Sequence, residues 1–158
     1  MSKETTCCFT GHRIIEKDFD IEVLKRGIMY LVDLGVDTFI CGGALGFDTI
    51  CAKEVLNAKA SYPHKNIQLH IYAPCENQNA KWGRRDSEMY ELLLEKADFV
   101  DVPATPYYTG CMKDRNFKMV DSSAFCICYL KNLRSGTGQT YRYAKQNGLK
   151  IFNLAGKK

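Results

Sequence analysis

Short apolar runs alternate along this chain with longer segments whose apolar positions return every third or fourth residue. The runs at 6–10, 38–41, 67–72, 99–102, 124–130 and 150–154 read as strands. Leu24, Ile28, Leu31 and Val32 set a helical spacing from Ile21, with Asp18 as a candidate cap and Gly35 as the stop. Ile50, Cys51, Val55 and Leu56 mark a second helix over 46–59, and Met89, Leu92 and Leu93 a third over 85–96. Residues 112–122 predict a fourth, and 141–146, closed by Asn147-Gly148, a fifth. Residues 62–66 and 106–110 read as loops.

Strands and helices that alternate from end to end predict an α/β fold, a parallel sheet with helices on both faces. Ligands of such folds sit beyond the carboxyl ends of the strands, where the strand order reverses. Several segments fall there: Gly11-His12-Arg13 after the first strand, Gly42-Gly43-Ala44-Leu45-Gly46 after the second, Pro74 after the third, and Ser135-Gly136-Thr137-Gly138-Gln139-Thr140 after the fifth. Glycine lets a ligand approach bare N–H groups at a helix N-terminus, where the dipole favours an anion such as phosphate. The competing reading of each turn is a tight strand-to-helix connection that binds nothing. Thr137 and Thr140 add hydroxyls, and Arg13, Arg115 and Arg134 add guanidinium groups able to grip phosphate bidentately. Arg115 with Lys118 reads equally as the wet face of a helix, and Asn116 as a loop brace. Asp48 reads as a helix-dipole partner, a brace for the glycine loop or a ribose contact. His12 follows a strand-ending glycine, whereas His64 and His70 read as structural or exposed.

Composition narrows the classes. A length of 158 residues fits one domain over 1–158. The net charge of +4 is too mild for a nucleic-acid signature, and Lys157 and Lys158 contribute to it as a solvated end. Lys81-Trp82-Gly83-Arg84-Arg85 still mixes aromatic and basic groups in the manner of single-strand binders. No apolar segment approaches the ~20 residues needed to span a bilayer, and no secretory signal pattern appears, so a cytoplasmic location is expected. The cysteines form no Cys-x-x-Cys pair, so neither a zinc site nor any other metal site is expected. They read as small buried hydrophobes, with redox sensing as the lesser alternative. Gly-x-Gly-x-x-Gly and the P-loop signature are both absent, which argues against an ordinary NAD dehydrogenase and excludes a P-loop NTPase. Tyr107-Tyr108 reads as a homodimer patch or as a lid over the pocket.

Cys8-Phe9-Thr10-Gly11-His12-Arg13, Gly42-Gly43-Ala44-Leu45-Gly46-Phe47-Asp48, Arg115-Asn116 and Gly136-Thr137 with Thr140 resemble, in this order and over nearly the whole chain, the YpsA-like branch of the SLOG superfamily. That superfamily unites the "lonely guy" phosphoribohydrolases with the DNA-processing Smf proteins. The resemblance implies a Rossmann-like three-layer sandwich with a mostly parallel central sheet and a pocket for a nucleotide or nucleotide derivative. It brings no settled reaction, so catalytic residues stay unassigned and no cofactor beyond such a ligand is expected. Phosphoribohydrolases of the superfamily carry Pro-Gly-Gly-x-Gly-Thr-x-x-Glu. Aligning its Gly-Thr with Gly136-Thr137 puts Thr140 at the glutamate, after Leu133-Arg134-Ser135 rather than a full Pro-Gly-Gly run. Cleaving an N-ribosidic bond passes through a cation-like sugar that a carboxylate stabilises, so that chemistry loses its acid unless Asp48 or Asp86 substitutes. The reading expected is a sensor or regulatory protein for a small nucleotide-derived ligand. The alternatives are a nucleoside-monophosphate N-glycoside hydrolase and a nucleic-acid binder like the Smf proteins.

Overall fold

Strands with apolar side chains on both faces belong in a sheet that is covered twice. The structure, a computed structural model describing residues 1–155, has such a sheet; Lys157 and Lys158 lie outside the described residues. The strands are β1 (Thr6–Gly11), β2 (Thr38–Cys41), β3 (Gln68–Tyr72), β4 (Phe99–Asp101), β5 (Phe125–Tyr129) and β6 (Lys150–Asn153). Their order is β4-β3-β2-β1-β5-β6 and every neighbouring pair is parallel, so the sheet is wholly rather than mostly parallel. The connections carry α1 (Ile21–Asp33), α2 (Phe47–Ser61), α3 (Arg84–Lys96), α4 (Cys111–Asp121) and α5 (Gly136–Gln146).

Side chains alternate along each strand and split the core in two. Cys7, Phe9, Phe39, Leu69, Ile71, Ile127 and Tyr129 pack with Leu24 and Ile28 of α1, Cys51 and Val55 of α2, and Leu93 of α3. Cys8, Ile40, Tyr72, Cys126 and Cys128 pack with Met119 and Val120 of α4 and Ala144 of α5. The result is a three-layer, Rossmann-like α/β sandwich. All eight cysteines are buried and free, filling core volume.

Three local expectations shift. The cap of α1 is Asp20, whose carboxylate accepts the Glu22 N–H at 3.0 Å, while Asp18 bonds Lys131 instead. Asp20 immediately precedes Ile21, where a carboxylate reaches the free N–H groups of the first turn, and Asp18 stands two residues too early. In α3, Leu92 is 40% exposed, and Tyr90 with Leu93 takes the buried positions. α5 begins at Gly136, five residues before Tyr141, because Ser135 Oγ accepts the Gly138 N–H at 3.0 Å. That cap overrides the low helix propensity of two glycines. His70 fits the structural alternative of its reading, buried with Nε2 2.9 Å from Gln68 Oε1.

The strand order reverses between β1 and β5, and the loops on that edge lie almost in contact. Phe47 N–H donates to the His12 carbonyl at 3.1 Å. A Cβ added to Gly46, whose φ is 84°, would fall on the Arg13 carbonyl, and one on Gly138 would fall on the Leu133 carbonyl. Gly136 has nothing within 4 Å of its Cβ position. Gly46→Ala should therefore cost about 3 kcal/mol or more, from left-handed strain plus overpacking. Gly138→Ala should cost about 1–3 kcal/mol from overpacking alone, and Gly136→Ala should leave stability nearly unchanged. Urea unfolding of the three variants checks this ranking.

Candidate functional site

Beyond the carboxyl ends of β1, β2 and β5 lies a cleft of about 290 Å³. Thr10, Gly11, His12 and Arg13 line it from β1 and its loop, Ala44, Leu45 and Asp48 from the start of α2, and Ser135, Gly136 and Thr137 from the start of α5. Met112, Arg115 and Asn116 line it from α4. Nine of the residues singled out by sequence thus share one cavity: Gly11, His12, Arg13, Ala44, Asp48, Arg115, Asn116, Gly136 and Thr137. Gly42, Gly43, Gly46, Pro74 and Thr140 do not line it. Gly42 lies beneath the Arg115 guanidinium, Gly43 faces Tyr90 and Gln78, and Gly46 abuts Arg13. Pro74 lines a neighbouring cavity past β3. Thr140 is buried, and its hydroxyl donates to the Gly136 carbonyl within α5 at 3.0 Å. Arg134 and Asp86 are exposed and outside the cleft. Thr10, Leu45 and Ser135 also line it from within the segments that the sequence singled out, and Met112 is the lining residue that sequence reasoning missed, although it sits one helical turn before Arg115. Trp82 is half-buried and its ring meets Tyr90 in a T-shaped contact.

Arg115 is the central cation. It is 6% exposed. Its Nη1 donates to the carbonyls of Gly42 at 2.5 Å and Tyr72 at 3.1 Å, and its Nε to Asn116 Oδ1 at 2.7 Å. The nearest acceptor to Nη2 is the Met112 sulfur at 3.9 Å, which leaves donor capacity for a ligand. The Asp48 carboxylate crowds the same face of Gly42. A Cβ on Gly42 would lie 2.6 Å from Arg115 Cζ and 2.8 Å from Asp48 Oδ2.

His12 holds the β1 and β5 loops together. Its Nε2 accepts the backbone N–H of Lys131 at 2.9 Å and of Asn132 at 3.2 Å, which assigns the ring proton to Nδ1. Burial lowers its pKa, with Glu16 opposing and Lys131 reinforcing. Lys131 Nζ closes the same bridge by donating to Glu16 and Asp18.

The two glycine-rich turns differ in what fills them. At the start of α2, Ala44 N–H donates to Asp48 Oδ2 at 3.4 Å and Phe47 N–H goes to His12. That helix end is occupied by its own carboxylate. At the start of α5, Ser135 takes only the Gly138 N–H, and no acidic residue stands in the first turn. The N–H groups of Gly136 and Thr137 have no partner among the described residues and lie at the cleft. One wall therefore offers an anion site and the opposite wall a carboxylate.

The sequence profile of the YspA SLOG family matches residues 9–152, a span holding every one of these groups. The chain belongs to the YspA SLOG family. Among its relatives, UPF0398 protein BH1768 of Halalkalibacterium halodurans is 34% identical over 98 residues, 61% of this chain and 48% of that protein. UPF0398 protein OB1025 of Oceanobacillus iheyensis is 30% identical over 118 residues, 71% of this chain and 62% of that one. The matches thus span about half to three-fifths of these curated relatives. Among solved structures, DNA processing protein A of Streptococcus pneumoniae aligns with a TM-score of 0.68 at 15% identity, over 96% of this chain and 50% of that one. The Helicobacter pylori protein, described for its single-stranded DNA binding mode, aligns at 0.67 and 16%, over 96% and 65%. At these identities the likeness is one of fold. No described helix of this SLOG chain is long and apolar enough to cross a membrane, and no described cluster of His, Cys, Asp and Glu could hold a metal ion.

Burial raises the Asp48 pKa from 3.8 to about 6, against the pull of Arg115 and of the Ala44 and Gly42 backbone. A raised carboxylate pKa stabilises the fold at low pH. Its contribution is complete below the unfolded value and disappears as pH rises through the folded one, a loss on the order of 3 kcal/mol. Asp48→Asn has no such titration. Its melting temperature relative to the parent should climb between about pH 4 and pH 7 and then level off, whatever constant offset the amide introduces. Thermal unfolding of both proteins across that range checks the trend, and parallel pH profiles would overturn the raised pKa of Asp48.

Proposed function

We propose that the cleft binds a nucleotide or nucleotide-derived sugar phosphate and that the protein acts as a cytoplasmic sensor or regulatory module for it. The observation that carries this reading is the pairing of opposite chemistries across one cavity. Open N–H groups of Gly136 and Thr137, with the Arg115 Nη2, whose partner is the weakly accepting Met112 sulfur, suit a phosphate. Asp48 on the facing wall suits hydroxyl donors such as those of a ribose. A plain anion would gain nothing from Asp48, and a plain sugar nothing from the α5 terminus.

Thermal-shift measurements with AMP, ADP-ribose, NAD and cyclic dinucleotides test the proposal. At millimolar concentration a ligand of micromolar affinity adds about 4 kcal/mol of stability, a readily measured shift. Thr137→Val should weaken that binding about tenfold, as expected for one lost hydrogen bond to a charged group. No stabilisation by any member of the panel would sink the idea.

A second reading is hydrolysis of an N-glycosidic bond, favoured by the position and raised pKa of Asp48. It predicts release of free base from a nucleoside monophosphate and its loss in Asp48→Asn. Base release no greater than in a buffer control excludes it. Single-strand binding, as described for the Helicobacter protein, would appear as oligonucleotide affinity falling steeply with salt.

A further inference from the structure

The cleft has a neighbour along the same sheet edge. Past β3 and β4 lies a second cavity, of about 140 Å³, whose walls include Tyr72, Pro74, Pro103 and Tyr108. Arg115 lines both cavities. Adjacent flanks of α4 face them, Met112 and Asn116 toward the first and Asp114 and Lys118 toward the second. Because Arg115 Nη1 is tied to carbonyls at the ends of β2 and β3, the guanidinium forms a fixed divider between two compartments of one groove.

The second compartment has a defined chemistry. Aromatic rings and prolines give it flat apolar walls. Its polar side chains are two carboxylates, Asp101 and Asp114, two cations, Arg115 and Lys118, and the hydroxyls of Tyr72 and Tyr108, and both cations already have acceptors. Asp114 receives the Tyr108 hydroxyl at 2.7 Å, and Asp101 pairs with Lys118, whose ammonium also lies 5.4 Å from the centre of the Tyr72 ring. Each carboxylate keeps lone pairs for a further donor. The α5 turn follows β5 and the second compartment begins at β3, three strand spacings away, about 14 Å, comparable with an extended nucleoside monophosphate.

We propose that this cavity is a base subsite, selecting a nucleobase that bears an exocyclic amine. The ring lies against Tyr108 and the prolines, and the amine donates to Asp101 or Asp114. Bases without an amine present only carbonyl oxygens and ring N–H groups, and gain less here. The proposal rests on the reading of the first cleft as a sugar-phosphate site, and ribose 5-phosphate separates the two, since it fills that cleft and stops short of this cavity.

Calorimetric titration of AMP, CMP, UMP and ribose 5-phosphate into the parent protein and Tyr108→Ala tests it. AMP and CMP should bind about tenfold or more tighter than ribose 5-phosphate, the scale that stacking on an aromatic ring supplies, with UMP close to ribose 5-phosphate. Tyr108→Ala should abolish the advantage of AMP and CMP and spare ribose 5-phosphate. Asp114→Asn, on an exposed side chain, should narrow the gap between CMP and UMP. Unchanged circular dichroism establishes that each variant is folded. If ribose 5-phosphate binds and the bases add nothing, or folded Tyr108→Ala keeps the advantage of AMP, the base subsite is wrong and the sugar-phosphate site stands. If neither ribose 5-phosphate nor any nucleotide binds, both fall.

Discussion

The functional edge of this fold depends on one buried guanidinium. Arg115 rises from α4 on one face of the sheet and ends over the carboxyl ends of β2 and β3, where it bonds the carbonyls of Gly42 and Tyr72. Burial disfavours its charge and lowers its pKa, and the nearby Asp48 opposes that shift. A cation in this position has to be surrounded by acceptors, because an unsatisfied buried charge costs several kcal/mol. The strand ends supply them. In return the guanidinium fixes where β2 and β3 end and holds α4 close enough for Met112 and Asn116 to face the cleft.

Glycine follows from the same constraint. Gly42 is required because the guanidinium and the Asp48 carboxylate occupy the volume a side chain would need. Gly46 is required because the β1 loop passes over it. These residues bring charged groups and loops together instead of baring backbone to a ligand. Gly136 differs, with open space at its Cβ position and a free N–H at the cleft. The two glycine turns resemble each other in sequence, yet one is internal scaffolding and the other is open to a ligand.

Much of this was legible in the sequence. The alternation of apolar runs and helical spacings specified six strands, five helices and both buried faces, because a doubly covered parallel sheet leaves that pattern. Motifs placed just past strand ends located the groove, since topology alone brings them to one edge. Sequence could not sort the glycines, whose roles depend on which distant atom approaches them. It gave the α1 cap to Asp18, whereas Asp20 caps the helix and Asp18 bonds Lys131, more than 100 residues away. It could not start α5 at Gly136, since propensity argues for a later start and only the Ser135 cap reverses it. The second cavity was invisible for a similar reason, as Pro74, Tyr108 and Asp114 come from a strand end, a loop and a helix with no common motif.

The threonine at position 140 has an electrostatic consequence as well as a chemical one. A carboxylate there would stand one turn into α5, near the N–H groups of Gly136 and Thr137. It would add negative charge where an incoming phosphate needs a positive end, and part of the helix dipole would be neutralised by its own side chain. Thr140 instead turns its hydroxyl back to the Gly136 carbonyl and leaves the first turn without an acid. The negative charge of the cleft then comes from Asp48 on α2, across the cavity. In the proposed binding mode, separating the carboxylate from the anion site would let one ligand engage both, with its phosphate at α5 and its hydroxyls toward α2. That polarity would give such a ligand a single orientation in the groove, with the remainder of the molecule directed past Arg115 toward β3 and β4.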